Sequence, residues 1–176
     1  DYDDTDRLSI EITECKHMGI QVLPPDVNES FVEFAVVPNK ENPDDRKAPI
    51  RFGMNAVKGV GTGAVEDILR ARDIDGAFPD LEDFLAKISS RIVNRKALEG
   101  LIRSGAFDRY GDRSLLLHNL DSMIAYGQRL QKQQESGQTD LFGSLLGETA
   151  ELSKPKLTLE PALVTHTPRE MLLWER

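Results

Sequence analysis

The chain has 176 residues, of which 39% are hydrophobic and 30% charged, a balance that fits one or two compact domains and excludes a disordered polyelectrolyte. No apolar run approaches the ~18 residues that span a bilayer. The acidic start Asp1-Tyr2-Asp3-Asp4 lacks the basic-then-apolar order of a secretory signal, and the single cysteine, Cys15, excludes a disulfide framework or a thiolate-rich zinc site. A cytoplasmic location is expected. The net charge of −8 hides a gradient: residues 1–48 carry 5 basic and 12 acidic side chains, residues 49–115 carry 11 and 10, and residues 91–113 carry 6 and 3. Any contact with nucleic acid is therefore expected in the middle third.

The first helix is expected after a cap at Asp4 or Thr5, with Leu8, Ile12 and Cys15 on one face and Gly19 as the stop. Asp3, Asp4 and Asp6 read as its solvated acidic start, not as metal ligands. Ile20 to Leu23 is extended and breaks at Pro24-Pro25. Phe31 to Val37 alternates and ends in a polar turn cluster, after which Ile50-Arg51-Phe52 is positioned to return as the second arm of a small hairpin. From Met54 to Leu130 the pattern is helical. Asp80 caps a face of Leu81, Phe84, Leu85 and Ile88, and Asn94 caps one of Ala97, Leu98, Leu101 and Ile102. Asp112 opens a third helix carrying Leu116, Leu120, Met123 and Leu130. Residues 131–168 read as a linker with prolines and polar runs. A helix resumes at Thr167-Pro168 and is unfinished at Arg176, which points to a piece of a larger protein.

The most informative local pattern is Lys58-Gly59-Val60-Gly61-Thr62-Gly63, where a short helix runs into a glycine turn and a second helix starts at once. Glycine permits the left-handed backbone that such a turn needs. The amides of Gly61 to Gly63 then stand at a helix N-terminus, able to donate to an anion, with Lys58 beside them. A P-loop is excluded because Ala64-Val65, not Lys-Ser/Thr, follows the last glycine. Gly59-x-Gly61-x-x-Ala64 fits a relaxed dinucleotide fingerprint, but the acids at the required distance, Asp80 and Asp83, fall inside a helix. A structural turn without a ligand is the plainer alternative. A second candidate corner joins Arg103-Ser104-Gly105 to Asp112-Arg113, with Arg95, Lys96 and Arg109 nearby, but it lacks the Gly-x-Gly pattern.

Within the polar segment, Gln138-Thr139-Asp140-Leu141-Phe142 has the form of a docking peptide: two bulky apolar residues for a pocket and an amide for its rim. Folding of Leu141-Phe142 onto the chain's own helices weighs equally on these residues alone. His17, His118 and His166 are too dispersed for a metal site.

Several blocks together resemble the DNA polymerase III alpha subunits, the bacterial C-family replicative polymerases. They are Glu14 to Ile20 with Val22-Leu23-Pro24-Pro25-Asp26-Val27-Asn28, Ile50-Arg51-Phe52-Gly53 leading to Val57-Lys58-Gly59-Val60-Gly61, and Val93-Asn94-Arg95-Lys96 leading to Leu101 through Asp108. Glu170 to Arg176 resembles the stretch before that family's oligonucleotide-binding domain. The resemblance implies a mainly α fold: a tandem helix-hairpin-helix module preceded by a fingers segment containing a small β-hairpin. It implies fingers at 1–50, the tandem module at 51–115, a completing helix at 116–135, a linker at 136–168 and the start of a further helix at 169–176. Double-stranded DNA would be held through Lys58, Gly59, Val60, Gly61, Thr62, Gly63, Arg103, Ser104, Gly105 and Arg109. A sliding clamp would dock on Gln138, Asp140, Leu141 and Phe142, and other replicase subunits would be reached through the parent protein. The family's magnesium-binding catalytic aspartates have no counterpart in this chain, so no cofactor and no independent activity are expected of it. A non-enzymatic helical adaptor and a repair-type helix-hairpin-helix module are the alternatives.

Overall fold

The computed structural model describes residues 2–42, 45–89, 91–135 and 156–161. Among the described residues, six helices and a three-stranded sheet of two-residue strands make the fold mainly α, as expected. No helix among the described residues is long and apolar enough to cross a membrane.

Helix α1 (Tyr2–His17) is already formed ahead of Asp4 and Thr5, which lie inside it and do not cap it. It ends where Gly19 predicts. At φ 75° Gly19 donates its N–H to the Lys16 carbonyl (3.1 Å), while Ile20 reaches back to Cys15 (2.8 Å), the paired closure that needs a left-handed residue. Strands β2 (Ala35–Val36) and β3 (Ile50–Arg51) pair antiparallel, giving the expected hairpin. Strand β1 (Val22–Leu23) adds to the other side of β3 in parallel. A parallel partner arrives by a long crossover and leaves no local turn signal, so its pairing was not readable from the sequence.

After Pro24-Pro25 the chain enters the helical unit. Val27 is fully buried in the same core as the helices, and its N–H donates to the Ala106 carbonyl (3.2 Å). The Asn28 carboxamide pairs both ways with the Phe78 main chain, accepting at 2.8 Å and donating at 2.9 Å. It also donates to the Tyr110 hydroxyl (3.1 Å), which itself donates to the Phe78 carbonyl (2.8 Å). The core thus runs unbroken across position 50.

The helices that follow are α2 (Thr62–Asp75), α3 (Leu81–Lys87), α4 (Arg95–Ser104), α5 (Arg113–His118) and α6 (Leu120–Glu135). Asp80, Asn94 and Asp112 cap α3, α4 and α5, accepting from Asp83 (2.7 Å), Ala97 (3.1 Å) and Ser114 (2.8 Å) amides. Val65, Ile68, Phe84, Leu101, Ile102, Phe107, Leu116 and Met123 are sealed from solvent. Phe84 meets Phe78 and Phe107 edge-on, with ring centroids 5.0 and 4.9 Å away.

Two further expectations need correction. The helix entering the glycine turn is a single 3-10 turn, Met54–Ala56, because Val57 leaves helical geometry for an extended backbone. The helix expected to run from Asp112 to Leu130 is two, divided at Asn119. The buried Asn119 amide donates to Leu115 (2.9 Å) and Glu160 (2.8 Å) carbonyls and accepts from the Glu160 N–H (2.7 Å). This pins residues 156–161, whose Leu157 and Leu159 pack on the core. Helix α6 ends at Glu135, where the completing helix is expected to end, and residues 156–161 of the expected linker pack against the core.

Candidate nucleic-acid interface

The first glycine corner is exposed, with Gly61, Thr62 and Gly63 all open to solvent. Gly61 caps α2 in extended backbone without a side-chain cap, and its carbonyl accepts from the Ala64 (2.9 Å) and Val65 (3.2 Å) amides. The N–H groups of Gly61, Thr62 and Gly63 find no acceptor among the described residues, and all three residues are exposed. A side chain built on Gly61 would meet nothing within 4 Å, and one on Gly63 would meet only an Ile92 methyl at 3.9 Å. The amides face open space at the positive end of a 14-residue helix. The Thr62 hydroxyl donates to Asn55 (3.3 Å).

The corner is held from behind by α4. Gly59, at φ 88°, lies against the Lys96 stem, and a side chain on Gly100 would come within 2.5 Å of the Lys58 carbonyl. Val60 is buried and reaches toward the same glycine. Lys58 and Lys96, both exposed, therefore flank the open amides. Lys96 belongs by sequence with the second corner; the structure brings it to the first. Gly100 was not singled out by sequence reasoning. A glycine inside an otherwise helical pattern is the signal that marks such a close approach.

The second corner, at the C-terminal end of α4, has a different character. Gly105 is buried at φ 92°, and its N–H closes α4 on the Ile102 carbonyl (3.1 Å). The Ser104 hydroxyl donates to the Leu101 carbonyl (3.0 Å). The Arg103 side chain bonds Glu99 (2.8 Å), and its carbonyl accepts from Arg113 (3.0 Å), which also forks onto both oxygens of Asp108 (2.8 Å each). Arg109 donates to Asp26 (2.8 Å) and Glu29 (3.3 Å). Burial alone would lower the Arg109 pKa, but the hydrogen bond and charge of Asp26 outweigh it and raise the value. Burial pushes the neighbouring Tyr110 phenol up to about 12, against the opposing Asn28 hydrogen bond and Arg109 charge.

The docking peptide Gln138, Asp140, Leu141 and Phe142, and the helix expected at 169–176, lie outside the described residues. Among the described residues no group of three His, Cys, Asp or Glu stands close enough to hold a metal ion.

A family model described as the helix-hairpin-helix motif matches residues 19–116, which takes in both corners and the helices between them. The chain belongs to the helix-hairpin-helix family. It is also similar to DNA polymerase III alpha subunits: 38% identical over 155 residues to that of Vibrio cholerae, 35% over 162 to that of Escherichia coli K12, and 37% over 154 to that of Thermus aquaticus. These matches cover 88 to 92% of this chain but only 11 to 13% of the relatives. The helix-hairpin-helix match begins at Gly19, well upstream of the module start expected at residue 51, in keeping with a core that already includes Val27.

Proposed function

We propose that this chain is a segment of a template-directed DNA polymerase that holds duplex DNA by its backbone and moors the enzyme to its sliding clamp. The observation that carries the DNA reading is the set of three exposed amides at Gly61, Thr62 and Gly63, without an acceptor among the described residues and flanked by Lys58 and Lys96. Such donors recognise phosphate oxygens and carry no base information, so binding is independent of sequence. The donors of the second corner serve the fold, which concentrates the grip at the first. Two to four phosphate contacts give a slope of log affinity against log salt of about −2 to −4.

The polymerase relatives support placing this grip in a longer enzyme whose nucleotidyl transfer uses magnesium held by aspartates outside this chain. The residues here supply position, not chemistry. The peptide Gln138-Thr139-Asp140-Leu141-Phe142 is proposed to dock the clamp, with Leu141 and Phe142 filling an apolar pocket. Two weak contacts on one DNA then act as one strong one, because tethering raises the effective concentration to about millimolar.

Titration of the full-length protein with duplex DNA across a salt series tests the grip. Gly61→Asp adds a charge where a side chain meets nothing, so it is expected to fold and to lower affinity by about tenfold or more, while Gly61→Ala keeps binding. Absence of salt-sensitive duplex binding by the unaltered protein would instead favour a helical adaptor. The clamp assignment requires that Leu141→Ala with Phe142→Ala abolish clamp binding and spare DNA binding.

A further inference from the structure

We propose that Ile92 is the sugar contact of the glycine corner: its side chain takes the apolar edge of the deoxyribose next to the seated phosphate and so favours DNA over RNA. This rests on the reading of the corner as a phosphate grip. Ile92 lies in the turn between α3 and α4, and its Cγ2 methyl stands 3.9 Å from where a side chain on Gly63 would begin. It is 43% exposed, whereas the next residue, Val93, is 3% exposed and part of the core. An open isoleucine thus adjoins the open amides of Gly61, Thr62 and Gly63.

The turn is tied to the same helix that carries the corner. The Ile92 and Val93 N–H groups both donate to the Ser89 carbonyl (3.0 and 2.9 Å). The Ser89 N–H in turn donates to Asp67 (3.0 Å), which is buried one turn beyond Gly63 on α2. Gln131 of α6 holds the end of α3 by donating to the Ile88 carbonyl (2.7 Å). With Val93 anchored beneath it, Ile92 keeps a set place beside the amides.

The two halves of this surface name the occupant. Three amides with the exposed Lys58 and Lys96 suit a phosphate, and neither lysine pairs with a carboxylate among the described residues. A free phosphate uses only that polar half and leaves Ile92 open. A nucleic-acid strand uses both, because every phosphate in it is flanked by sugars. The C2′ methylene of a deoxyribose lies on an isoleucine without loss. A ribose puts a hydroxyl there, which gives up its water against methyl groups that offer it no hydrogen bond.

The test uses the full-length protein and a DNA duplex into which one ribonucleotide at a time is placed, along each strand in turn, adding a single 2′-hydroxyl. The unaltered protein is expected to lose affinity about five- to tenfold at one or two adjacent positions. Ile92→Ala is expected to bind the all-DNA duplex about three- to tenfold more weakly with an unchanged salt slope, since the lost contact is apolar, and to erase the ribonucleotide penalty. Ile92→Val keeps a branched apolar surface and the penalty. Lys58→Gln keeps the penalty too but lowers the magnitude of the slope by about 1. Thermal melts matched to the unaltered protein separate these effects from misfolding. A flat scan in the unaltered protein, or an equal penalty in Ile92→Ala, overturns the sugar contact, and the corner stands if Gly61→Asp still weakens binding. If Gly61→Asp changes nothing while the Ile92-dependent penalty is present, the corner reading fails and the sugar contact stands.

Discussion

Arg109 and Asp26 are 83 residues apart in the chain, yet two guanidinium nitrogens of Arg109 reach one Asp26 oxygen at 2.8 and 3.0 Å. The contact straps the loop after Pro24-Pro25 onto the turn that follows α4. A double-mutant cycle of Arg109→Ala and Asp26→Asn in urea unfolding is expected to show coupling of about 0.5–1 kcal/mol, because the pair is partly exposed. The DNA salt slope is expected to be unchanged in Arg109→Ala. A fall in its magnitude by about 1 would return Arg109 to the phosphate contacts expected from sequence.

Gly100→Ala is expected to weaken DNA binding although position 100 touches no DNA. The added methyl would lie 2.5 Å from the Lys58 carbonyl, so the corner must lift off α4. A cost of about 1–3 kcal/mol is expected in chemical denaturation. Gly63→Ala makes the contrast: its nearest neighbour is at 3.9 Å, and it should be neutral or stabilising by up to about 1 kcal/mol.

The Tyr110 phenol sets an alkaline limit. Its folded pKa, about 12, stands above the ordinary value of about 10, so between these pH values the native state holds a proton that the unfolded chain releases. Stability from this group is complete below about pH 10 and lost as pH rises toward 12. The free energy of unfolding measured across that window should fall less steeply in Tyr110→Phe. A smaller limb remains, since burial raises Tyr126 as well.

Removing the Asn119 carboxamide should release the segment at 156–161. Asn119→Ala takes away both hydrogen bonds to Glu160. Hydrogen exchange at the Glu160 amide is expected to accelerate toward the unprotected rate, with a global cost of about 1–3 kcal/mol for the backbone groups left unpaired.

The helical body was legible because its signals are local. Asp80, Asn94 and Asp112 announce their helices by caps, and the Gly59-Val60-Gly61 turn announces the corner by backbone need. What escaped was set by distant partners. Nothing near Asn119 says that its amide will prefer the main chain of Glu160, so one apolar periodicity read as one helix. Nothing near Val22 announces a parallel partner at Ile50. The cationic stretch 91–113 read as a candidate phosphate surface, yet Arg103, Arg109 and Arg113 each meet a carboxylate that sequence proximity only partly suggests: Glu99 and Asp108 are close in the chain, but Asp26 is not. Charge counts show how many cations are present, not which are already engaged.

Val27 sits at 0% exposure among side chains contributed by α2 through α6, and Asn28 is laced to Phe78 and Tyr110 beside it. Cutting the polypeptide between β2 and β3 would therefore yield two pieces that remain clasped through this plug. Each half expressed separately should rescue the other on mixing, with the tip at Val27 acting as the key that seats the amino-terminal piece in its lock.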